Sequence, residues 1–130
     1  MGTNDIPATI VAMERAALER WGCGDPDGFL EITAPSVSYF DPFIERRLDG
    51  IYSLGSMYDR LRGTIRMDRF EIVEPRVQVA GDVAVLTFRF DSFSGDGSMH
   101  WNATEVYQHG ESGWKIIHTH WAFHQPRLAR

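Results

Sequence analysis

The sequence has one cysteine, Cys23, so no disulfide can form within the chain, and the expected setting is reducing. It has no apolar run near the roughly 18 residues that cross a bilayer. Its first residues, MGTNDIPATI, hold no basic stretch followed by an apolar one, so no secretory leader is expected. They also lack the Ser or Thr at position six that N-myristoylation uses. Basic residues are scattered, with Arg46-Arg47 the one adjacent pair, and the net charge is −5. That balance argues against nucleic acid as a partner. There is no Gly-rich phosphate loop, no Gly-x-Ser-x-Gly and no Cys-x-x-Cys, so nucleotide and iron–sulfur chemistry is not expected. Linkers, repeats and low-complexity tracts are missing as well. The expectation is one cytoplasmic domain over residues 1–130, without cofactor or metal, and with no membrane or nucleic-acid partner.

What is present is ordinary globular composition, 43% hydrophobic and 24% charged, enough for a core without staples. The chain changes character once, near residue 68. Before it the pattern is helical. Asp5 can cap a helix carrying Pro7 in its first turn, with Ile6, Ile10, Met13, Ala17 and Trp21 at spacings of three or four. Asp25 and Pro26 start a second, short helix. A strand over residues 37–41 ends at Pro42, and residues 51–62 read as a third helix with Leu54, Met57, Tyr58 and Leu61 inward.

After residue 68 the pattern is β. Residues 69–80, 83–93, 99–109 and 114–123 are rich in β-branched and aromatic side chains, with turn signals at Gly81-Asp82, 94–97 and 110–113. Short turns imply an antiparallel meander. Turn lengths set a register. It places Val77 opposite Leu86, Pro75 opposite Phe88 and Val73 opposite Phe90. It then places Phe90 opposite Trp101, Phe88 opposite Ala103 and Leu86 opposite Glu105. Finally it sets Tyr107 opposite Ile116, Glu105 opposite His118 and Ala103 opposite His120. The fold class expected is therefore α+β, with N-terminal helices over one apolar face of a curved antiparallel sheet. Ile117, Trp121 and Phe123 fall on the other, outer face.

The covered face is not uniformly apolar. Glu105, Tyr107, His118, His120 and His124 project from one end of it, and alternation adds Tyr39 and Asp41. Buried carboxylates and imidazoles are costly unless paired or wet, so a partly polar pocket is expected there, with Tyr39, Trp101, Tyr107 and His120 lining it. Glu105 with His118 reads equally as an ion pair or an acid–base pair. Asp41-Pro42 reads equally as a strand end or a pocket group. His118-x-His120 has the spacing of two metal ligands on one strand. However, same-face residues lie about 7 Å apart, and the expectation is no metal.

A strand ending SYFDP, a following Asp-Gly turn and a meander ending GWKIIHTHW carry a resemblance. Over residues 8–124 the pattern resembles the nuclear transport factor 2-like (NTF2-like) superfamily, a cone-shaped fold. It is most similar to SnoaL-like domains and to the association domain of calcium/calmodulin-dependent kinase II, on FDPF…LDGI, TEVYQHGESGW and KIIHTH. The resemblance implies a homodimer through the outer sheet face and a small-molecule pocket. Compared with ketosteroid isomerases, the catalytic base falls on Asp41. The two oxyanion donors fall on Ala17 and on Ala103 or Thr104, so isomerase activity is not expected. Compared with the kinase domain, a pocket arginine falls on Glu105. Two functional readings follow: a homodimeric small-molecule-binding domain, or an acid–base enzyme with Asp41 as base and Glu105 with His118 or His120 on the acid side.

Overall fold

The computed structural model describes residues 5–124. Its elements run α1 (Ile6–Trp21), α2 (Asp27–Leu30), β1 (Thr33–Phe40), β2 (Leu48–Asp49), α3 (Ile51–Leu61), β3 (Arg69–Ala80), β4 (Val83–Ser94), β5 (Gly97–Gly110) and β6 (Gly113–Phe123). The strands form one six-stranded sheet in the order β2-β1-β6-β5-β4-β3. All its pairs are antiparallel except β1 with β6. The sheet is α+β in class, curved and unclosed, with the helices packed on its concave face.

Local chemistry accounts for the helices. The Asp5 carboxylate accepts from the Ala8 N–H at 3.2 Å, satisfying one of the first-turn donors. Ile10, Ala17 and Leu18 of α1 and Leu54, Met57 and Tyr58 of α3 are buried against Leu86, Phe88 and Phe90 of the sheet. The turn after α1 is held tightly to the segment after α3: Gly63 N–H donates to Gly24 O and Met67 N–H to Gly22 O, both at 2.9 Å. Gly24 has φ +85°, and a Cβ there would stand 3.0 Å from Gly63 Cα, so only glycine fits without strain. This clamp fixes the wall formed by residues 64–67.

The central register is as the turns require: Leu86 faces Glu105, Phe88 faces Ala103 and Phe90 faces Trp101. Two bulges shift the flanks of the β3–β6 meander. The first lies between Val73 and Arg76 of β3. Pro75 has no N–H for the ladder, and Glu74 adopts φ 52°. Beyond the bulge Ile72, not Val73, lies opposite Phe90, and Val73 pairs with Arg89.

The second bulge lies in β6 and has larger consequences. Tyr107 faces Ile116 as expected, but Val106 faces His118, leaving Ile117 outside the pairing. Glu105 therefore faces Thr119, and Ala103 faces Trp121. Without the bulge, two imidazoles would enter the core and two large aromatics would face outward. With it, Trp121 packs on Phe88 and Phe90 at 5.7 and 5.5 Å, and Phe123 packs on Trp101 at 4.6 Å. Removing apolar area from water at about 25 cal/mol per Å² favours that exchange, and so does keeping imidazoles wet. The expected outer placement of Trp121 and Phe123 is thus reversed.

Candidate functional site

The helices do not fill the concave face. A cavity of about 520 Å³ remains between α1, α3, the 64–67 segment and the open end of the meander. Its apolar wall includes Trp21, Phe29, Phe90, Trp101 and Trp121. Trp21 stands edge-on to Tyr58 at 5.0 Å, and Trp101 edge-on to Trp121 at 6.0 Å. These contacts fix the ring orientations.

The polar side of the cavity is built around Asp41. Alternation along β1 turns Val37 and Tyr39 inward, and Asp41 follows at the strand end. One Asp41 oxygen accepts from the Phe43 N–H at 2.7 Å, closing a tight turn over Pro42. The other accepts from the Tyr39 hydroxyl, also at 2.7 Å. Asp41 therefore both ends the strand and lines the cavity. Tyr58, from α3, adjoins Tyr39 and lines the cavity beside it. Burial, reinforced by nearby negative charge, pushes both phenols well above the ordinary tyrosine range. They are neutral hydrogen-bonding groups.

Behind this wall lies a second polar group. Glu14 of α1 and Glu105 of β5 are both buried, at 0% and 1% exposure. Tyr107, itself fully buried, donates to a Glu14 oxygen at 2.7 Å. Glu105 adjoins the Glu14 carboxyl and the Thr119 hydroxyl. Among the described residues, neither Glu105 oxygen finds a well-aligned hydrogen-bond partner. Burial raises both carboxyls, Glu105 the more, because the Glu14 charge adds to the burial. Two adjoining buried carboxyls cannot both ionise, so the pair holds a proton.

Of the residues singled out in the sequence, Tyr39, Asp41 and Trp101 come together on the cavity. Glu105 and Tyr107 point to the same side of the sheet but are buried and do not line the cavity. His118 and His120 do not join them. His118 stands on the outer face, its Nδ1 2.7 Å from Ser38 Oγ, with Phe40 beside both rings. The expected pairing with Glu105 does not form, because the β6 bulge turns His118 away. The His118 pKa is consequently lowered, by burial first and His120 second, rather than raised by a carboxylate. The two rings are 6.4 Å apart, and among the described residues no three His, Cys, Asp or Glu side chains assemble into a metal-binding group. No helix among those residues is long and apolar enough to cross a membrane. Glu14 was not anticipated. Its signal was its position, four residues after Ile10 and three before Ala17, inside the apolar stripe of α1.

A curved, unclosed sheet with helices over a cavity on its concave face defines the NTF2-like class. The chain matches the family model of the calcium/calmodulin dependent protein kinase II association domain over residues 7–124, and it belongs to that family. Among solved structures it is similar to a candidate ketosteroid isomerase from Parabacteroides distasonis ATCC 8503. That pair shares 38% identity and a TM-score of 0.85, with 95% of this chain and 91% of the other covered. It shares the fold of the CaMKII hub of S. rosetta (19% identity, TM-score 0.77, 95% and 100% covered). It also shares that of a candidate dehydratase of the NTF2-like family from Streptomyces avermitilis (21%, 0.76, 95% and 99%). None of the curated proteins matches the chain.

Proposed function

We propose that the domain binds a small, largely apolar and uncharged molecule bearing one hydrogen-bonding oxygen, and that it does so as a self-associated protein. The observation that carries this reading is the cavity of about 520 Å³, walled by three tryptophans and carrying the Asp41–Tyr39 hydrogen bond at one side. A concave apolar site with a few fixed polar groups is the usual form of a small-molecule site. Its charged lining residues are Asp41 and Arg66, one of each sign, so the cavity as a whole favours neither an anionic nor a cationic head. Tryptophan fluorescence tests the reading, since Trp21, Trp101 and Trp121 line the cavity. A flat aromatic ketone such as 2-acetylnaphthalene should quench it saturably.

The second reading is acid–base chemistry with Asp41 as base. It is supported by the 38% identity to the candidate isomerase and by Asp41 standing on the cavity wall. The positions of the isomerase oxyanion donors carry Ala17 and Ala103 or Thr104, and such donors are worth a few kcal/mol each. Binding is therefore the reading preferred. Self-association is supported by the family name and by the likeness to a CaMKII hub. Its surface is the outer sheet face, where Val85 pairs with Val106, Val106 with His118, and His118 packs on Phe40.

A further inference from the structure

Ser98, His100 and Asp91 form a hydrogen-bonded series at the turn end of the β4–β5 hairpin, on the sheet face opposite Phe90 and Trp101, separate from Asp41 and from the Glu14–Glu105 pair. Ser98 and His100 are two apart on β5, so they project from one face, and Asp91 is the cross-strand partner of His100. Ser98 Oγ lies 3.1 Å from His100 Nε2, and His100 Nδ1 lies 2.7 Å from Asp91 Oδ1. The direction of the series is set at its buried end. Burial alone would raise the Asp91 carboxyl, but hydrogen bonds from His100 and Arg89 outweigh it and hold the group below its ordinary value. An ionised carboxylate only accepts. Nδ1 therefore donates to Asp91, and in the neutral ring Nε2 is left to accept the hydroxyl hydrogen of Ser98. The other Asp91 oxygen accepts from Arg89 Nη2 at 3.3 Å. Glu71 faces Asp91 from β3 and is paired with Arg69, whose guanidinium stacks 3.8 Å over Phe93. Phe93 meets the edge of the His100 ring at 6.4 Å.

A structural cross-strand pair needs only Asp91 and His100. It does not need a hydroxyl on the second ring nitrogen, and it does not need that hydroxyl to be exposed, as Ser98 is. The arrangement has the order of a nucleophile, a base and the group that orients the base. We infer that Ser98, His100 and Asp91 form a second reactive site, in which Ser98 is the nucleophile, His100 the general base and Asp91 a positioning residue. Its substrate is an uncharged ester whose apolar acyl group lies against Phe93, the cross-strand partner of Ser98 on the same outer face.

The step balances with water as co-reactant. Ser98 Oγ attacks the ester carbonyl carbon while its proton passes to His100 Nε2. The bond from that carbon to the alcohol oxygen breaks, and the leaving oxygen takes the proton from His100. Water then attacks the acyl carbon, giving a proton to His100. The Oγ–carbon bond breaks, Ser98 recovers a hydrogen from His100, and the carboxylic acid departs. Proton transfer of this kind contributes a factor of about 10²–10⁴.

The test is covalent labelling of the full chain with a fluorophosphonate, which forms a serine O–P bond with loss of fluoride. Intact mass and peptide mapping give the site and rate. One adduct is expected, on Ser98. It should be absent in Ser98→Ala, at least ~10-fold slower in His100→Gln, and unchanged in Ser112→Ala at the far turn. Hydrolysis of p-nitrophenyl butyrate should fall to the protein-free rate in Ser98→Ala. Asp91→Asn should lower kcat with KM unchanged. Circular dichroism checks that each variant is folded, and the exposed Ser98 position makes its alanine variant the safest. No adduct, an adduct spread over several serines, or an equal labelling rate in a folded His100→Gln would overturn the assignment.

Discussion

Glu14 and Glu105 meet inside the core, one from α1 and one from β5, and among the described residues no cation stands beside them. The neighbours that face them are Tyr107, Tyr58 and Thr119. The pair holds a proton in the folded protein at pH values where the unfolded chain has released it. Its contribution to stability is therefore fully present below the ordinary glutamate value of about 4.3. That contribution is lost as pH rises toward the raised folded value, at about 1.4 kcal/mol for each pH unit between the two. Glu105→Gln keeps the hydrogen-bonding shape without the charge. Denaturant unfolding should find this variant about 1–3 kcal/mol more stable than the parent at pH 8 and nearly equal to it at pH 4.5. A difference independent of pH would contradict the shared proton.

The β6 bulge predicts a contrast between two deletions. Removing Ile117, which lies outside the pairing, leaves Tyr107 opposite Ile116 and Val106 opposite His118, so Trp121 keeps its place on the concave face. Removing Thr119 slides every later residue by one place, so Trp121 leaves that face and His120 enters it. The Thr119 deletion should lose at least ~3 kcal/mol more than the Ile117 deletion, the scale of removing one large buried aromatic. Urea unfolding measures both. Equal losses would mean that the placement of Trp121 carries no packing advantage.

Self-association through the outer sheet face predicts a light-scattering mass of at least twice 14.8 kDa at micromolar concentration. Val106→Arg, in the middle of that face, should give a folded monomer. A monomeric parent protein would refute this part of the proposal.

Much of this arrangement could be read from the sequence, and the exceptions have identifiable causes. The α1 cap at Asp5, the three helices, the meander and the central register from Leu86–Glu105 to Phe90–Trp101 follow from local periodicity and turn length. Bulges do not. Whether Ile117 pairs depends on where the chain places Trp121 and Phe123, and that is settled across the whole sheet. Propagating the turn register through β6 therefore put His118 and His120 on the concave face. The bulge in β3 did leave a local sign, since Pro75 cannot donate in a ladder. Glu14 was legible as a carboxylate in an apolar stripe. Its partner could be found only once α1 was laid over β5.

Acid–base catalysis at Asp41 can be tested separately. A Δ5-3-ketosteroid should not be isomerised faster by the protein than by its Asp41→Asn variant. Turnover on the order of 10 per second would favour the enzymatic reading and require oxyanion donors other than those at the matched positions.

The central claim is that the cavity holds a small apolar molecule, and titration of tryptophan fluorescence with 2-acetylnaphthalene tests it most directly. Thr64 lies exposed at the cavity wall, so Thr64→Trp should block the space without disturbing the core. The parent protein should show saturable quenching, weakened at least ~10-fold in Thr64→Trp, a loss of about 1.4 kcal/mol in affinity. Linear quenching without saturation, or equal affinity in the blocked variant, would contradict the account.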